Sequence, residues 1–291
     1  MRTDSGLRLD RVEKRTAMIP KVIHYCWFGG SPLPPLAEKC IESWRKYCPD
    51  YEIKEWNESN YDFTKNNYMN QAYEAKKWGF VPDYARIDIL HTYGGVYLDT
   101  DVEMIKPIDD IMTNSAFCGF EDKQNVAFGL GFGSVAGFSL WKDLLVEYDK
   151  ISFINEDRSL NLTASPVYTT KWLLERGLVL NGKLQATDGL TVYPTEYFCP
   201  LNYSTGRLKI TQKAYTIHHY DASWQTGEDK ARAKRRALFC RLFGIKLGRK
   251  LESYFHIVKT SSLSELWCRV KNRFTKNDKR TKGTDQDECV L

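Results

Sequence analysis

Two carboxylates, Asp99 and Asp101, follow an apolar run that begins after Gly94-Gly95. The run from Val96 to Met104 predicts a β-strand, in which Tyr97, Asp99 and Asp101 lie on one face. Two carboxylates so close together repel each other, and a divalent cation removes that repulsion. Hard oxygen donors suit Mg²⁺ or Mn²⁺, which commonly also bind substrate phosphates. The pattern therefore predicts a metal at Asp99 and Asp101 that holds a diphosphate.

The segment before this strand predicts a helix that opens at Pro82, with Asp83 at its electropositive N-terminus. Asp83 and Arg86 are three positions apart and so lie on the same helix face. A carboxylate and a guanidinium directed at the metal could bind a sugar hydroxyl and a phosphate. The alternative is that Asp83 and Arg86 form a structural pair on a solvated face.

The tripeptide Asp-x-Asp is not specific by itself, since Asp285-Gln286-Asp287 repeats it in a polar tail without apolar flanks. The whole run 82–107 is more specific, and so are two further blocks, 19–29 and 218–224. Together the three blocks resemble glycosyltransferase family 32, which includes fungal initiating mannosyltransferases and bacterial capsular-polysaccharide enzymes. They are also similar to the catalytic core of the clostridial glucosylating toxins.

The resemblance implies an α/β fold of the GT-A type, with a central mixed, mostly parallel sheet flanked by helices and, after it, a basic helical appendage. It implies retaining transfer of a sugar from a UDP- or GDP-linked donor to a glycan or lipid-linked glycan, in capsule or surface-polysaccharide assembly. The roles it implies are metal binding by Asp99, Asp101 and His218, donor binding by Cys26, Trp27, Tyr97 and Asp99, and catalysis by Asp83, Arg86, Asp101, Ser223 and Trp224.

Two of these assignments have alternatives in the sequence. Trp27 lies near the end of a predicted strand, Lys21 to Phe28, and could stack on a nucleotide base. The alternative is that Trp27 packs in the hydrophobic core. His218 and His219 point to opposite faces of a late strand, Ala214 to Tyr220, so at most one reaches the metal, and we favour His218.

Charge is distributed unevenly along the chain. From Lys230 to Arg280 there are 16 Lys and Arg against 3 Asp and Glu, whereas the whole chain has a net charge of +5. Apolar residues recur at helical spacing within this basic tail, which is typical of membrane-surface helices. A helix docked on the core with a basic solvated face is the alternative, and we expect no nucleic-acid partner because its known motifs are absent from the sequence.

Composition and length predict one catalytic domain with appendages: a disordered lead at 1–18, the catalytic domain at 19–228, the basic helical tail at 229–274 and a disordered end at 275–291. None of the eight cysteines forms a Cys-x-x-Cys pair, which argues against zinc and favours free, buried thiols. We expect a cytoplasmic enzyme, peripheral on the inner face of the cell membrane, since no secretory signal stands out.

Two other functions fit parts of the pattern. An apolar strand that ends in Asp-x-Asp also occurs in haloacid-dehalogenase-type phosphatases, where Asp99 would attack phosphate and Asp101 would act as acid and base. That motif normally opens its domain, whereas about eighty residues precede it here. The second alternative is a non-enzymatic protein that binds glycans or membranes through the basic tail.

Overall fold

The computed structural model describes residues 18–221 and 226–260. These residues form two compact units. The first contains the described residues 18–201 and 208–221, and the second contains 202–207 and 226–260. The second unit thus includes residues 202–207, which lie within the predicted catalytic domain, 19–228.

The first unit combines helices and strands, and two helices make up most of the second. In chain order the elements are β1 (Val22–Cys26), α1 (Pro35–Tyr47), β2 (Glu52–Trp56), α2 (Asn67–Glu74), α3 (Pro82–Tyr93), β3 (Gly95–Tyr97), β4 (Val102–Met104), β5 (Ala116–Phe120), β6 (Val126–Ala127), β7 (Phe132–Ser134), α4 (Ser139–Tyr148), α5 (Ser165–Leu174), β8 (Gln185–Thr187), β9 (Leu190–Tyr193), α6 (Thr195–Phe198), β10 (Leu201–Asn202), β11 (Arg207–Leu208), β12 (Thr216–His218), α7 (Gly227–Phe243) and α8 (Ile245–Thr260).

The main sheet of the first unit has eight strands in the order β2-β1-β3-β7-β5-β9-β8, with β6 paired to β5. Strand β1 is parallel to both of its neighbours, and β5 is parallel to β9. Strand β7 is antiparallel to β3 and β5, so five of the eight strands run in one direction. The prediction of a mixed, mostly parallel sheet with flanking helices is confirmed.

The predicted strand from Val96 to Met104 is wrong in one respect, because the structure divides it into β3 and β4. Leu98 still donates its backbone N–H to His24 O, at 3.1 Å, and so continues the ladder of β3. A turn follows, closed by the N–H of Val102 on the carbonyl oxygen of Asp99 at 3.0 Å. Strand β4 then leaves the main sheet and pairs antiparallel with β12. The period-2 pattern could not reveal this turn, because Asp99 and Asp101 alternate with apolar residues whether or not the strand is continuous.

Helix α3 begins at Pro82 as predicted, and Gly94 ends it with a positive φ of 67°. Gly95 follows with φ of 101°, and a Cβ there would lie 2.7 Å from the backbone oxygen of Val22. Only glycine tolerates both the conformation and the contact at this turn. The chain therefore passes from α3 directly into β3, which keeps the helix against the strand that carries Asp99.

His24 fastens this turn to the sheet. Its Nε2–H donates to the carbonyl oxygen of Gly94 at 2.9 Å, and its Nδ1 accepts from the indole N–H of Trp56 at 3.1 Å. These two bonds need the neutral ring, and burial lowers the pKa of His24 from 6.5 to about 4. The sequence analysis did not single out this residue.

Two segments whose composition does not indicate helix or strand nevertheless contain regular structure. The segment 191–200 holds most of β9 and the short helix α6, and the loop at 181–189 contains β8. Neither segment shows a clear hydrophobic period, and the strands β8 and β9 pair with each other while β9 also pairs with β5. The six cysteines within the described ranges are free and buried, as predicted.

The second unit is built on a helical hairpin of α7 and α8. The cap of α7 is reciprocal, because Thr226 and Asp229 exchange side-chain and backbone hydrogen bonds. The segment 202–207 joins the unit through a hydrogen bond from Arg236 to the Tyr203 hydroxyl at 2.8 Å. Helices of the described ranges are all too short or too polar to span a bilayer.

The buried imidazole of His24 stays neutral in the folded protein, whereas in the unfolded chain the same imidazole takes up a proton as the pH falls. Acidification should therefore destabilise the fold. Between the ordinary pKa of 6.5 and the folded pKa of about 4, the free energy of unfolding should fall as pH falls. The share due to His24 is about 3 kcal/mol. Urea unfolding at several pH values should therefore give a shallower pH dependence for His24→Gln than for the wild type. Identical slopes would contradict the assignment.

Candidate active site

Arg86 joins the groups that the sequence analysis selected. Its Nη2 lies 2.7 Å from Oδ1 of Asp83, and its Nη1 lies 3.5 Å from Oδ2 of Asp99. Its Nε–H donates to the carbonyl oxygen of Pro82 at 3.0 Å, one turn earlier in α3. The guanidinium also stands over the ring of Tyr97, 5.3 Å from its centroid. All these contacts fix the side chain so that each terminal nitrogen of the guanidinium pairs with a different carboxylate.

Asp83 lies in the interior, so its pairing with Arg86 is not on a solvated face. Only 4% of the residue is exposed, and 5% of Arg86. Burial raises the pKa of Asp83 to about 6, while the charge of Arg86 and a hydrogen bond from Ser165 oppose that rise. The hydroxyl of Tyr68 donates to Oδ2 at 3.4 Å. The carboxyl group is therefore held in a fixed orientation by partners from three parts of the chain.

Asp99 lies where β3 ends, and its side chain is 29% exposed. Its backbone N–H donates to the carbonyl oxygen of Gly129 at 3.0 Å. A Cβ on Gly129 would overlap Oδ2 of Asp99 and would lie 2.8 Å from its Cγ. The absence of a side chain at Gly129 therefore creates the space that the Asp99 carboxylate occupies. Gly129 belongs to a glycine-rich stretch, 126–137, and such a composition is typical of a close backbone approach.

Asp101 lies in the turn after Asp99, and each of its oxygens has a partner. Oδ1 lies 3.2 Å from Nε2 of His218, and Oδ2 accepts the backbone N–H of Asp221 at 2.9 Å. Burial by itself would raise the pKa of Asp101, but the charge and hydrogen bond of His218 together with the Asp221 N–H lower it to about 2. Asp101 is therefore ionised, and each oxygen keeps a further lone pair.

The pairing of β12 with β4 explains which histidine meets Asp101. His218 stands opposite Val102 in the register, and the backbone N–H of His219 donates to the carbonyl oxygen of Asp101 at 3.0 Å. His219 turns the other way and bonds Glu103 at 2.8 Å. Burial opposes a charge on His218, yet Asp101 raises the pKa of its imidazole well above the ordinary value. Of the two histidines, His218 is the one beside the predicted metal ligands.

The donor set fits a hard divalent cation in part. Asp99 and Asp101 supply carboxylate oxygens from one short turn, and such cations often use one or two carboxylates and complete their shell with water and phosphate. Within residues 18–221 and 226–260, no three His, Cys, Asp or Glu side chains converge to hold a metal ion. His218 contacts Asp101, and metal binding by His218 stays a prediction.

The residues predicted to bind the donor differ in accessibility. Trp27 directly follows β1, is partly buried, and donates its indole N–H to the carbonyl oxygen of Ser31 at 2.6 Å. Cys26 and Tyr97 are 6% and 1% exposed and hydrogen-bond each other. Burial raises the pKa of the Cys26 thiol to about 12. Cys26 and Tyr97 are therefore buried beside the site, and Trp27 and Asp99 are the members with accessible surface.

Two predicted residues, Ser223 and Trp224, lie outside the described residues. The structure adds two groups that the sequence analysis did not assign to the site, Gly129 beneath Asp99 and Ser165 on Asp83. Ser165 starts helix α5, and its sequence context indicates a helix N-terminus and no more. Its contact with α3 depends on the packing of distant segments, which no local pattern records.

The part of the chain that carries these carboxylates and Arg86 matches a family of known proteins. Residues 34–118, which include Asp83, Arg86, Asp99 and Asp101, match a family described as the glycosyltransferase sugar-binding region containing the DXD motif. An uncharacterized glycosyltransferase of Acanthamoeba polyphaga mimivirus is 26% identical over 215 residues, 71% of this chain and 84% of that protein. The chain is a glycosyltransferase, similar to those of family 32.

Other relatives of the glycosyltransferase are more distant or match over a shorter stretch. Inositol phosphoceramide mannosyltransferase 1 of Schizosaccharomyces pombe is 29% identical over 110 residues, 34% of this chain and 33% of that enzyme. A solved structure named PaToxG glycosyltransferase is 19% identical, with a TM-score of 0.42, and the match covers 54% of this chain and 70% of that one. The central sheet with flanking helices is consistent with a GT-A-like α/β fold.

The contact between Gly129 and Asp99 gives a direct test of the site. Gly129→Ala should displace the Asp99 carboxylate and weaken its ion pair with Arg86, because the new methyl group would occupy the same space. Displacing a group at the reacting centre by about 1 Å can cost on the order of a hundredfold in rate, so kcat/KM for donor turnover should fall by that order. Turnover should be measured alongside thermal unfolding.

Gly227→Ala is the matched control, since a Cβ at Gly227 meets nothing within 4 Å and no positive φ restricts that residue. This variant should keep wild-type turnover. Full activity of Gly129→Ala would mean that Asp99 does not need its observed position.

Proposed function

We propose that the protein is a metal-dependent, retaining glycosyltransferase that transfers a sugar from a UDP- or GDP-linked donor to a glycan acceptor, including lipid-linked glycans, in surface or capsular polysaccharide assembly. The observation that supports it most strongly is the continuous run of charged contacts from Asp83 through Arg86 to Asp99, at the end of a strand in the main sheet. Ligands of open α/β sheets bind outside the carboxyl ends of the strands, where Asp99 lies.

The leaving group of this reaction is a nucleoside diphosphate, which gains negative charge as the bond to the sugar breaks. Asp99 and Asp101 would hold Mn²⁺ or Mg²⁺, which supplies positive charge to such a group. Arg86 adds a permanent cation, because burial opposes its charge less than Asp99 and Asp83 favour it and its pKa rises above the ordinary value. A guanidinium with fixed geometry stabilises developing charge without first having to reorganise.

The sugar and the base would be bound on either side of the diphosphate. Asp83 orients donor sugar hydroxyls, since its carboxyl group is buried and fixed by Arg86, Ser165 and Tyr68. Trp27 offers a partly exposed ring at the end of β1 on which a base can stack. Ser223 and Trp224 would donate hydrogen bonds to the phosphates, as the resemblance to family 32 implies.

The phosphatase alternative is less consistent with the chain. Its nucleophile normally follows the first strand of its domain, whereas Asp99 follows the third strand of the described chain. The comparisons also match the region of Asp99 to a glycosyltransferase family.

The location that we propose is the inner face of the cell membrane, with the enzyme held there peripherally. Within the second unit, residues 227–260 carry ten Lys and Arg against three Asp and Glu, a balance of +7. Such a charge favours anionic lipid surfaces, where lipid-linked glycans are available.

Donor hydrolysis without acceptor tests the proposed activity. A panel of UDP- and GDP-sugars with Mn²⁺ should reveal one donor that is hydrolysed slowly, and chelation of the metal should stop the reaction. Asp99→Asn and Asp101→Asn should each lower the rate by at least about a hundredfold, because each loses a charged ligand. Released nucleotide is the quantity measured.

Asp143→Asn provides the matched control, since it makes the same change at an exposed carboxylate on α4. It should retain the wild-type rate, and circular dichroism should show that all three variants are folded. Turnover that survives in Asp99→Asn and Asp101→Asn would contradict the proposed role of the two carboxylates.

A further inference from the structure

The connection between α7 and α8 presents an unusual group of side chains, which we call the hairpin tip and define as residues 241–247. All seven residues are exposed. Four of them are large and apolar, with exposed fractions of 64%, 50%, 45% and 50% for Leu242, Phe243, Ile245 and Leu247. Single exposed apolar residues are ordinary, but four within six positions form a contiguous patch that indicates a binding surface.

Contacts outside the tip hold the two helices together. Helix α7 meets α8 where Gly248 lies against the backbone of Cys240, and a Cβ at Gly248 would come within 2.5 Å of the Cys240 Cα. Further along the hairpin, the buried carboxylate of Glu252 pairs with Arg232 at 3.4 Å and with Arg235 at 3.2 Å. These contacts anchor the hairpin from inside, so the apolar residues of the tip remain available for another surface.

The charge around the tip indicates the kind of surface. From Arg241 to Leu251 the chain contains four basic residues and no acidic one. Arg241 and Lys246 alternate with the apolar residues of the tip, and Arg249 and Lys250 follow within the next turn of α8. Apolar side chains enter the acyl boundary of a bilayer while neighbouring cations bind its phosphates. Each Lys or Arg near an anionic surface adds to the binding.

We infer that the hairpin tip inserts into an anionic lipid surface, with Leu242, Phe243, Ile245 and Leu247 in the acyl boundary and the adjacent cations on the headgroup phosphates. The tip would thus be the part of the chain that contacts the membrane at the proposed location. That this contact brings the enzyme to lipid-linked acceptors rests on the proposed function. The contact itself does not depend on sugar transfer, so the two can be tested separately.

The experiment uses the full chain and vesicles of phosphatidylcholine with or without phosphatidylglycerol, and it measures the bound fraction by sedimentation. The wild type should bind the anionic vesicles and release as salt is raised. The double variant Leu242→Glu/Leu247→Glu should bind at least about tenfold more weakly, since burying one leucine corresponds to a tenfold effect or more. Arg241→Glu/Lys246→Glu should reduce the preference for anionic over neutral vesicles.

The matched control is Val179→Glu/Leu184→Glu in the first unit, where each residue is 56% exposed. It should bind vesicles as the wild type does. No binding by the wild type, or an equal loss in this control, would overturn the inference. So would light scattering that shows a dimer broken by the tip variant together with unchanged vesicle binding, because the tip would then contact a second copy of the chain.

Donor hydrolysis in solution separates this inference from the proposed function. The tip variants should keep the wild-type hydrolysis rate, since the changed residues belong to the second unit and none of them is assigned to the site. A chain that binds vesicles through the tip but hydrolyses no donor would support the membrane contact and contradict the transferase chemistry.

Discussion

The site depends on a buried cation that two carboxylates share. Arg86 pairs with Asp83 on its own helix and with Asp99 across the sheet, and both Arg86 and Asp83 are almost inaccessible to water. Breaking a buried pair by removing one partner typically costs about 3 to 5 kcal/mol, because the charge left behind is unpaired. The interaction therefore couples two tasks: it holds α3 against the end of β3, and it positions the groups proposed to contact the donor.

Backbone features around Arg86 keep this arrangement in place. The Gly94–Gly95 turn connects α3 directly to β3, and the His24 hydrogen bond to Gly94 holds this turn in place. Gly129 leaves room for the Asp99 carboxylate, and its carbonyl oxygen holds the backbone of the same residue. The glycines act through their lack of a side chain, and His24 acts as a neutral ring. Uncharged parts of the chain therefore help to position the charged groups of Arg86 and Asp99.

Much of this arrangement could be predicted from the sequence. Helix α3, its start at Pro82 and the proximity of Asp83 and Arg86 follow from spacing and from proline chemistry, which are local. The division of the strand after Leu98 could not be predicted, because it depends on β12 pairing with β4 from more than a hundred residues away. The contacts of Ser165 with Asp83 and of Gly129 with Asp99 could not be predicted either, because they also join distant parts of the chain. A glycine-rich stretch indicates that some backbone approaches closely, but not which carboxylate lies next to it.

The antiparallel pair of β4 and β12 has a consequence for the order in which the site is assembled. The strands β1, β2 and β3 and the helix α3 are complete once the first hundred residues have left the ribosome. His218 and the backbone N–H of Asp221, which bond the Asp101 carboxylate, are synthesised more than a hundred residues later. The residues Asp83, Arg86 and Asp99 thus precede the partners of Asp101 by more than a hundred positions, so a truncated product that ends before β12 would lack both groups that bond the Asp101 carboxylate.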